Sequence, residues 1–159
     1  MMMNGNENER KRVQGGSCNP TRWRMDIAIP FLEKYGITYY NPQVDQWIPE
    51  MIEMERKAKD DARILFFVID DQTRSIVSMI EVAYLVGIRR MRKRLILTIT
   101  DFSINSTNIL MTNELYLPQN AQKDYNRGRA YLADIAKQHN LPVFDNLKQS
   151  LEYCIKKWF

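Results

Sequence analysis

Short apolar runs alternate along the chain with stretches whose apolar residues recur every three or four positions, from about residue 12 onward. That alternation is the mark of βαβ units built on a parallel sheet. It predicts a first strand near residues 12–14, followed by Gly15-Gly16-Ser17-Cys18. Asn19-Pro20 then opens a helix, because asparagine caps well and proline suits the first helical position. Ile27, Phe31, Leu32 and Tyr35 form its apolar face until Gly36 ends it. A second strand over 37–40 leads through the loop NPQVDQW to a helix over 49–61. The third strand, 63–69, contains ILFFVI without alternation, as a strand covered on both faces does. The helix over 74–87 carries Ile76, Ile80, Ala83 and Tyr84 as its expected core stripe. A fourth strand (95–99) and a long polar loop (101–119) follow. A helix over 122–138, with Leu132, Ile135 and Ala136 inward, then leads to a short strand (141–144) and a closing helix (147–158).

Five strands with helices between them predict an α/β fold, a three-layer sandwich with a five-stranded parallel sheet, flavodoxin-like or Rossmann-like. A disordered segment, 1–10, is expected to precede one domain over 11–159, which is large enough to bury a core of its own. Sheets of this kind bind ligands outside the carboxyl ends of their strands, where the strand order reverses. The loops so gathered are 15–19, 41–45 and 70–75, all rich in Gly, Ser, Asn and Asp.

Composition narrows the class. The chain is 45% hydrophobic and 26% charged, which is globular. Its apolar runs have the length of buried strands, far short of a membrane helix, so no membrane partner is expected. The polar beginning, MMMNGNENERKR, reads as no signal peptide, and two distant cysteines read as free thiols, so a cytoplasmic setting is expected. One histidine and two cysteines make a metal site a poor fit, and no cofactor is expected. The net charge of +4 gathers partly in Arg89, Arg90, Arg92, Lys93 and Arg94. Cations there suit a helix C-terminus; the sharper alternative is a nuclear-import patch. A nucleic-acid partner is disfavoured, because no aromatic or glycine-rich stacking surface accompanies the patch.

Acidic residues on apolar stripes carry the chemistry. Glu81 is ringed by Ile80, Val82, Ala83 and Tyr84, where a carboxylate is costly unless paired or used. Glu55 shares a helical face with Met51, Ala58 and Ala62, while Glu53, Arg56, Lys57 and Asp60 face the other way. Asp45, Asp70 and Asp71 end or follow strands and suit sugar hydroxyls or helix caps. Two carboxylates converging on a cleft are what glycosidic chemistry uses, one at the anomeric carbon and one managing the proton. Gly15, Gly16, Ser17, Cys18 and Asn19, with Asn41, offer backbone and hydroxyl groups to a ligand, or else a tight turn. Cys18 and Arg24 also satisfy the cysteine–five–arginine spacing of cysteine phosphatases, a remote alternative that Pro20 weakens. Trp47, Tyr39 and Tyr40 are aromatics for a base pocket or for the core. His139 reads as a helix-end residue and Cys154 as core.

Three blocks, GGSCNPTRWRMDIAIPFLEKYGITYYNPQVD, FFVIDDQTRSIVSMIEVAYLVG and KDYNRGRAYL, resemble the nucleoside 2-deoxyribosyltransferase-like family, over nearly everything from Gly15 onward. What the resemblance implies is a retaining transfer or hydrolysis at C1′ of a deoxyribosyl group, acting on a nucleoside or nucleotide, with no metal and no organic cofactor. Glu81 falls at the nucleophile's place, Glu55 at that of an aspartate handling the base proton, and Ser75 at that of a serine touching sugar or phosphate. Asn126 and Arg127 would supply a polar edge, suited to phosphate. A homo-oligomer is implied as well. The chain also resembles a Raw-like branch, which implies an alternative: a catalytically inactive nucleotide-binding module of a signalling regulator. Three departures stand out. Val77 and Met79 replace glycines and would crowd the sugar, Glu55 is one methylene longer than the aspartate, and the first strand is reduced to ERKRVQ.

Overall fold

The computed structural model describes residues 2–3, 12–18, 21–92, 94–101 and 118–158. Its strands are β1 (Met2–Met3), β2 (Arg12–Gly16), β3 (Tyr39–Asn41), β4 (Ile64–Ile69), β5 (Leu95–Ile99) and β6 (Val143–Phe144). They lie in the order β1-β3-β2-β4-β5-β6. The five strands from β2 to β6 are parallel and follow the flavodoxin-like order 2-1-3-4-5; β1 adds antiparallel at the edge, on β3. Met2 and Met3 therefore belong to the sheet rather than to a disordered head, since the edge of β3 offers unpaired backbone groups.

The helices are α1 (Ile29–Lys34), α2 (Met51–Asp61), α3 (Ile76–Gly87), α4 (Arg89–Arg92), α5 (Gln119–Gln138) and α6 (Leu147–Trp158). Side chains of β4 alternate between two cores, which is why its sequence is continuously apolar. Leu65, Phe67 and Ile69 meet α2, α3 and α5 through Ala58, Val82, Leu85, Val86, Leu132 and Ala136. Ile64, Phe66 and Val68 meet Trp23, Ala28, Leu151 and Cys154 on the other side. The result is the expected three-layer sandwich. Among the described residues no helix is long and apolar enough to cross a membrane.

One helix buries a different face from the expected one, and another only part of it. Residues Arg24–Ala28 form a π-helical turn that runs directly into α1. An i→i+5 turn inserts a residue and rotates every position counted through it. Ala28, Ile29 and Leu32 are consequently buried, while Ile27 and Tyr35 are about half exposed. In α3 the stripe Ile76, Ile80, Ala83 and Tyr84 faces outward, and Val82, Leu85 and Val86 form the core contact. In α5, Leu132 and Ala136 are inward as expected, whereas Ile135 is exposed. The proposed cap at Asn19-Pro20, Lys93 and most of the 101–119 loop lie outside the described residues.

The basic stretch seals helix ends. Arg94 donates to the carbonyl oxygens of Asp60 (3.2 Å) and Ala62, where α2 ends, and Arg92 donates to Val86 O at 3.3 Å, near the end of α3. Arg90 pairs with Asp60 at 2.8 Å. Cations placed on the last carbonyls of a helix are what its dipole favours.

Candidate active site

The order reverses between β2 and β4, and the carboxyl ends of these strands are tied together. Ser17 N–H donates to Val68 O at 2.7 Å, and Asp70 N–H donates to Ser17 Oγ at 2.9 Å. Gly15 and Gly16 are required by this close approach. A Cβ on Gly15 would overlap the Phe67 ring, and one on Gly16, at φ +102°, would overlap the Val68 carbonyl. Two side chains then lock the end of β2. Trp23 Nε1 donates to Ser17 O at 3.1 Å, and the fully buried Arg24 guanidinium donates to Ser17 O and, at 3.4 Å, to Gln14 O and Gly16 O.

That arrangement removes the phosphatase alternative. Arg24 spends its Nη groups on backbone carbonyls and stacks on Trp23, 4.2 Å from the ring centroid, so it cannot grip a phosphate. The Cys18 thiol is pushed up, by burial first and by Glu55 and Glu81 after, with Arg24 opposing. A nucleophilic cysteine needs the opposite shift. Cys18 Sγ instead donates to Gly16 O at 3.4 Å.

Glu55 on α2 and Glu81 on α3 converge on one cation. The ammonium of Lys59 contacts Glu81 Oε1 and lies 3.5 Å from Glu55 Oε2. Lys59 is 11% exposed at its side chain, Glu55 24% and Glu81 28%. Two oxygens held by one ammonium are at most about 7 Å apart, two hydrogen-bond lengths laid end to end. Glu55 also raises the buried Tyr40 hydroxyl, second to burial itself, and both glutamates act on Cys18. The pair, the end of β2 and Tyr40 thus share one neighbourhood. Tyr39 faces the opposite layer and donates to Glu33 at 3.1 Å, and Trp47 is exposed.

The loop after β4 is held from within. Ser17 Oγ lies 2.6 Å from Ser75 Oγ, which lies 2.6 Å from Thr73 Oγ1; Thr73 donates to Asp70 Oδ1 at 3.4 Å. Asp70 also accepts Gln72 N–H at 3.2 Å, and Ser75 stands at φ 54°, an uncommon conformation for a non-glycine residue. Arg129 of α5, fully buried, donates to Asp70 O (2.9 Å) and Thr73 O (2.8 Å). Burial holds its guanidinium below the usual range, and nearby Asp101, Asp70 and Asp71 oppose this.

The remaining candidates lie farther out. Asn41 is buried and caps its own loop through Gln43 N–H at 3.0 Å, while Asp45 and Asp71 are exposed. Asn126 is half-buried, and Arg127 is exposed and paired with Asp124 at 2.6 Å. Val77 is 79% exposed, and Met79 packs on the core and lies against Gly128 of α5. Sequence reasoning missed Lys59 and Arg129. Lys59 sits four positions after Glu55, and Arg129 lies three and seven positions before Leu132 and Ala136; a cation on an apolar stripe was the signal in each case.

The fold and its side chains together define a doubly wound α/β protein with two partly buried carboxylates beside its topological switch point. Residues 14–102 match the family described as nucleoside 2-deoxyribosyltransferase like, and the chain belongs to that family. The match runs from the middle of β2 through β5 and takes in both glutamate-bearing helices. No curated protein matches the chain.

Proposed function

We propose that the protein transfers or hydrolyses the N-glycosidic bond of a deoxynucleoside or deoxynucleotide, with Glu81 as nucleophile and Glu55 managing the proton. The observation that carries this reading is the convergence of Glu55 and Glu81 on Lys59. Retaining carboxylate pairs stand about 5–5.5 Å apart, within the limit one ammonium imposes. A Glu81 oxygen attacks C1′ as the C1′–N bond breaks, and the base leaves with the bonding pair, receiving a proton from Glu55. Water or a second base then opens the deoxyribosyl ester, surrendering a proton to Glu55 and restoring both carboxyl groups. Asp45, on the loop after β3, is the alternative proton carrier. Ser75, partly exposed, presents its hydroxyl to the sugar, held from behind by Ser17 and Thr73.

The test is incubation with 2′-deoxynucleosides and 2′-deoxynucleotides plus a free base, following base release or exchange. Glu81→Gln is expected to reduce the rate by about a thousandfold or more. Undiminished turnover in that variant overturns the mechanism. The same geometry favours a second reading, a binding module without turnover, because Lys59 occupies an oxygen of the would-be nucleophile. Saturable ligand binding with no base release selects it. A second copy of the chain is the expected partner, and the exposed apolar stripe Ile76, Val77, Ile80 and Tyr84 on α3, beside Glu81, supports this.

A further inference from the structure

The helices of the sandwich end at the amino edge of the sheet, opposite the loops that follow β2 and β4. The turns entering β3, β4, β5 and β6 (33–38, 60–63, 88–94 and 137–142) lie there. The last turn of α6 (155–158) joins them, since Cys154 lines one small cavity with Arg12 and Ile64, which start β2 and β4. Leaving out Lys93, these turns hold nine lysines and arginines against Glu33, Asp60 and Asp61. That excess is larger than the +4 of the entire chain, so the rest of the molecule is net negative. Helix dipoles explain only part of it. Each helix end carries about half a negative charge, so the ends of α1, α2, α3, α5 and α6 together are offset by about two or three cations.

Some of these cations are committed to the fold. Arg94 serves the carbonyls at the end of α2, Arg92 serves Val86 O, and Arg90 is paired with Asp60. Arg63, Arg89, Lys137 and Lys156 are exposed and have no ion-pair partner among the described residues. They come from four different helix ends, on both faces of the sheet. Five parallel strands set the width of this edge at roughly 20 Å. Neighbouring charges on it stand within reach of each other's fields, which extend about 8 Å at physiological salt. Tyr35, half exposed at the end of α1, lies beside them, with the Lys34 ammonium 5.7 Å from its ring centroid. An aromatic ring with a polar tip, next to a lysine, suits a membrane–water interface.

We infer that the amino edge is a docking face for an anionic lipid surface. A nucleic-acid duplex draws many of its contacts from main-chain N–H groups and helix N-termini. This edge presents helix C-termini instead, whose carbonyl oxygens hold phosphates off, so attraction acts through side-chain tips and a diffuse field. A charged bilayer is bound in that way, gaining about fivefold in partition for each cation near it. Docking of this kind needs no spanning helix, so the expectation of no membrane partner, which rests on the want of one, does not reach it. It leaves Ser75 and the loops of the carboxyl edge facing water.

The experiment is co-sedimentation of the full chain with vesicles of phosphatidylcholine alone or with about 30% phosphatidylserine. Partition onto the anionic vesicles is expected to be higher by about tenfold or more at 0.05 M salt, and to fall to the neutral level by about 0.5 M. Replacing Arg63, Arg89 and Lys156 together by glutamine is expected to weaken it by about a hundredfold. The same change at Arg22, Arg56 and Lys123, which removes equal charge away from this edge, is expected to stay within about threefold. Lys137→Glu, a single exposed reversal, is expected to lose about twentyfold and repeats the test in a second variant. Equal partition onto the two kinds of vesicle, or equal loss in the two triple variants, overturns the inference. Retention on a duplex of about 30 base pairs, with none on the vesicles, overturns it in favour of a nucleic-acid partner.

Discussion

Gly16 meets two demands that no other residue type satisfies together: a left-handed φ of +102° and direct apposition to the Val68 carbonyl. Because the obstacle is backbone of the central strand, it cannot swing aside. Gly16→Ala is therefore expected to cost about 3 kcal/mol, the sum of conformational strain and overpacking, which lowers Tm by roughly 6–12 °C in a calorimetric scan. Lys59 invites a different substitution. Removing its charge leaves Glu55 and Glu81 facing each other without compensation, and repulsion drives them apart. Lys59→Met is expected to lower kcat about tenfold or more with a smaller change in KM, and Lys59→Arg to restore part of the loss. If Lys59 merely silences Glu81, Lys59→Met raises base release instead, so the direction of change separates the two readings. Glu55, Glu81 and Ser17 were legible in the sequence because a carboxylate on an apolar stripe, or a serine at a strand end, stands out against its neighbours. Arg129 betrays its burial by standing on the stripe of Leu132 and Ala136, but not its partners, because its work is hydrogen bonding to carbonyls 56 and 59 positions away.

At the scale of elements, the strands β4 and β5 and the helix α6 fall where the apolar pattern puts them, and the errors concern which face is buried. In α3 the segment IVSMIEVAYLVG is apolar all round, so periodicity has no polar face to orient it. The choice is made by the layer beneath: Val82, Leu85 and Val86 fit over β4, and Ile80, 66% exposed, is left outside. Two substitutions on this helix should separate its faces. Val82→Ala removes two buried methyl groups and is expected to cost about 2 kcal/mol, read as a shifted urea midpoint. Ile80→Lys is expected to stay within about 0.5 kcal/mol. Should a second copy cover the stripe, Ile80→Lys will also shift sedimentation from dimer to monomer, while a wild-type monomer at all concentrations removes the homo-oligomer from consideration. In α1 the hidden factor is the π-helical turn. Its inserted residue obeys no sequence signal, so of the expected face Leu32 stays inward while Ile27 and Tyr35 come out half exposed.

Over the whole molecule, charge is divided between the two ends of the sheet. Carboxylates dominate the loops at the carboxyl edge, and Arg89 to Arg94 cluster where β5 begins, at the amino edge. The basic cluster was read from sequence as a helix terminus or an import patch, and the packing supports the first role directly. Arg94 bridges the end of α2 to the start of β5, and its guanidinium takes carbonyls that a helix end leaves unsatisfied. Hydrogen bonds from a charged donor are worth about 1.5–3 kcal/mol each when partly buried, and removing the donor leaves the Ala62 carbonyl without its partner. Arg94→Ala is thus expected to lower stability by about 2 kcal/mol or more, whereas Arg89→Ala, at an exposed position, should change it by less than about 0.5 kcal/mol. The contrast is measured by chemical denaturation of the two variants against the parent. Equal, small effects would mean that Arg94 contributes little to holding α2. A large difference fixes it as the clasp that holds α2, and with it Glu55 and Lys59, at the height in the sheet where Glu81 can reach them.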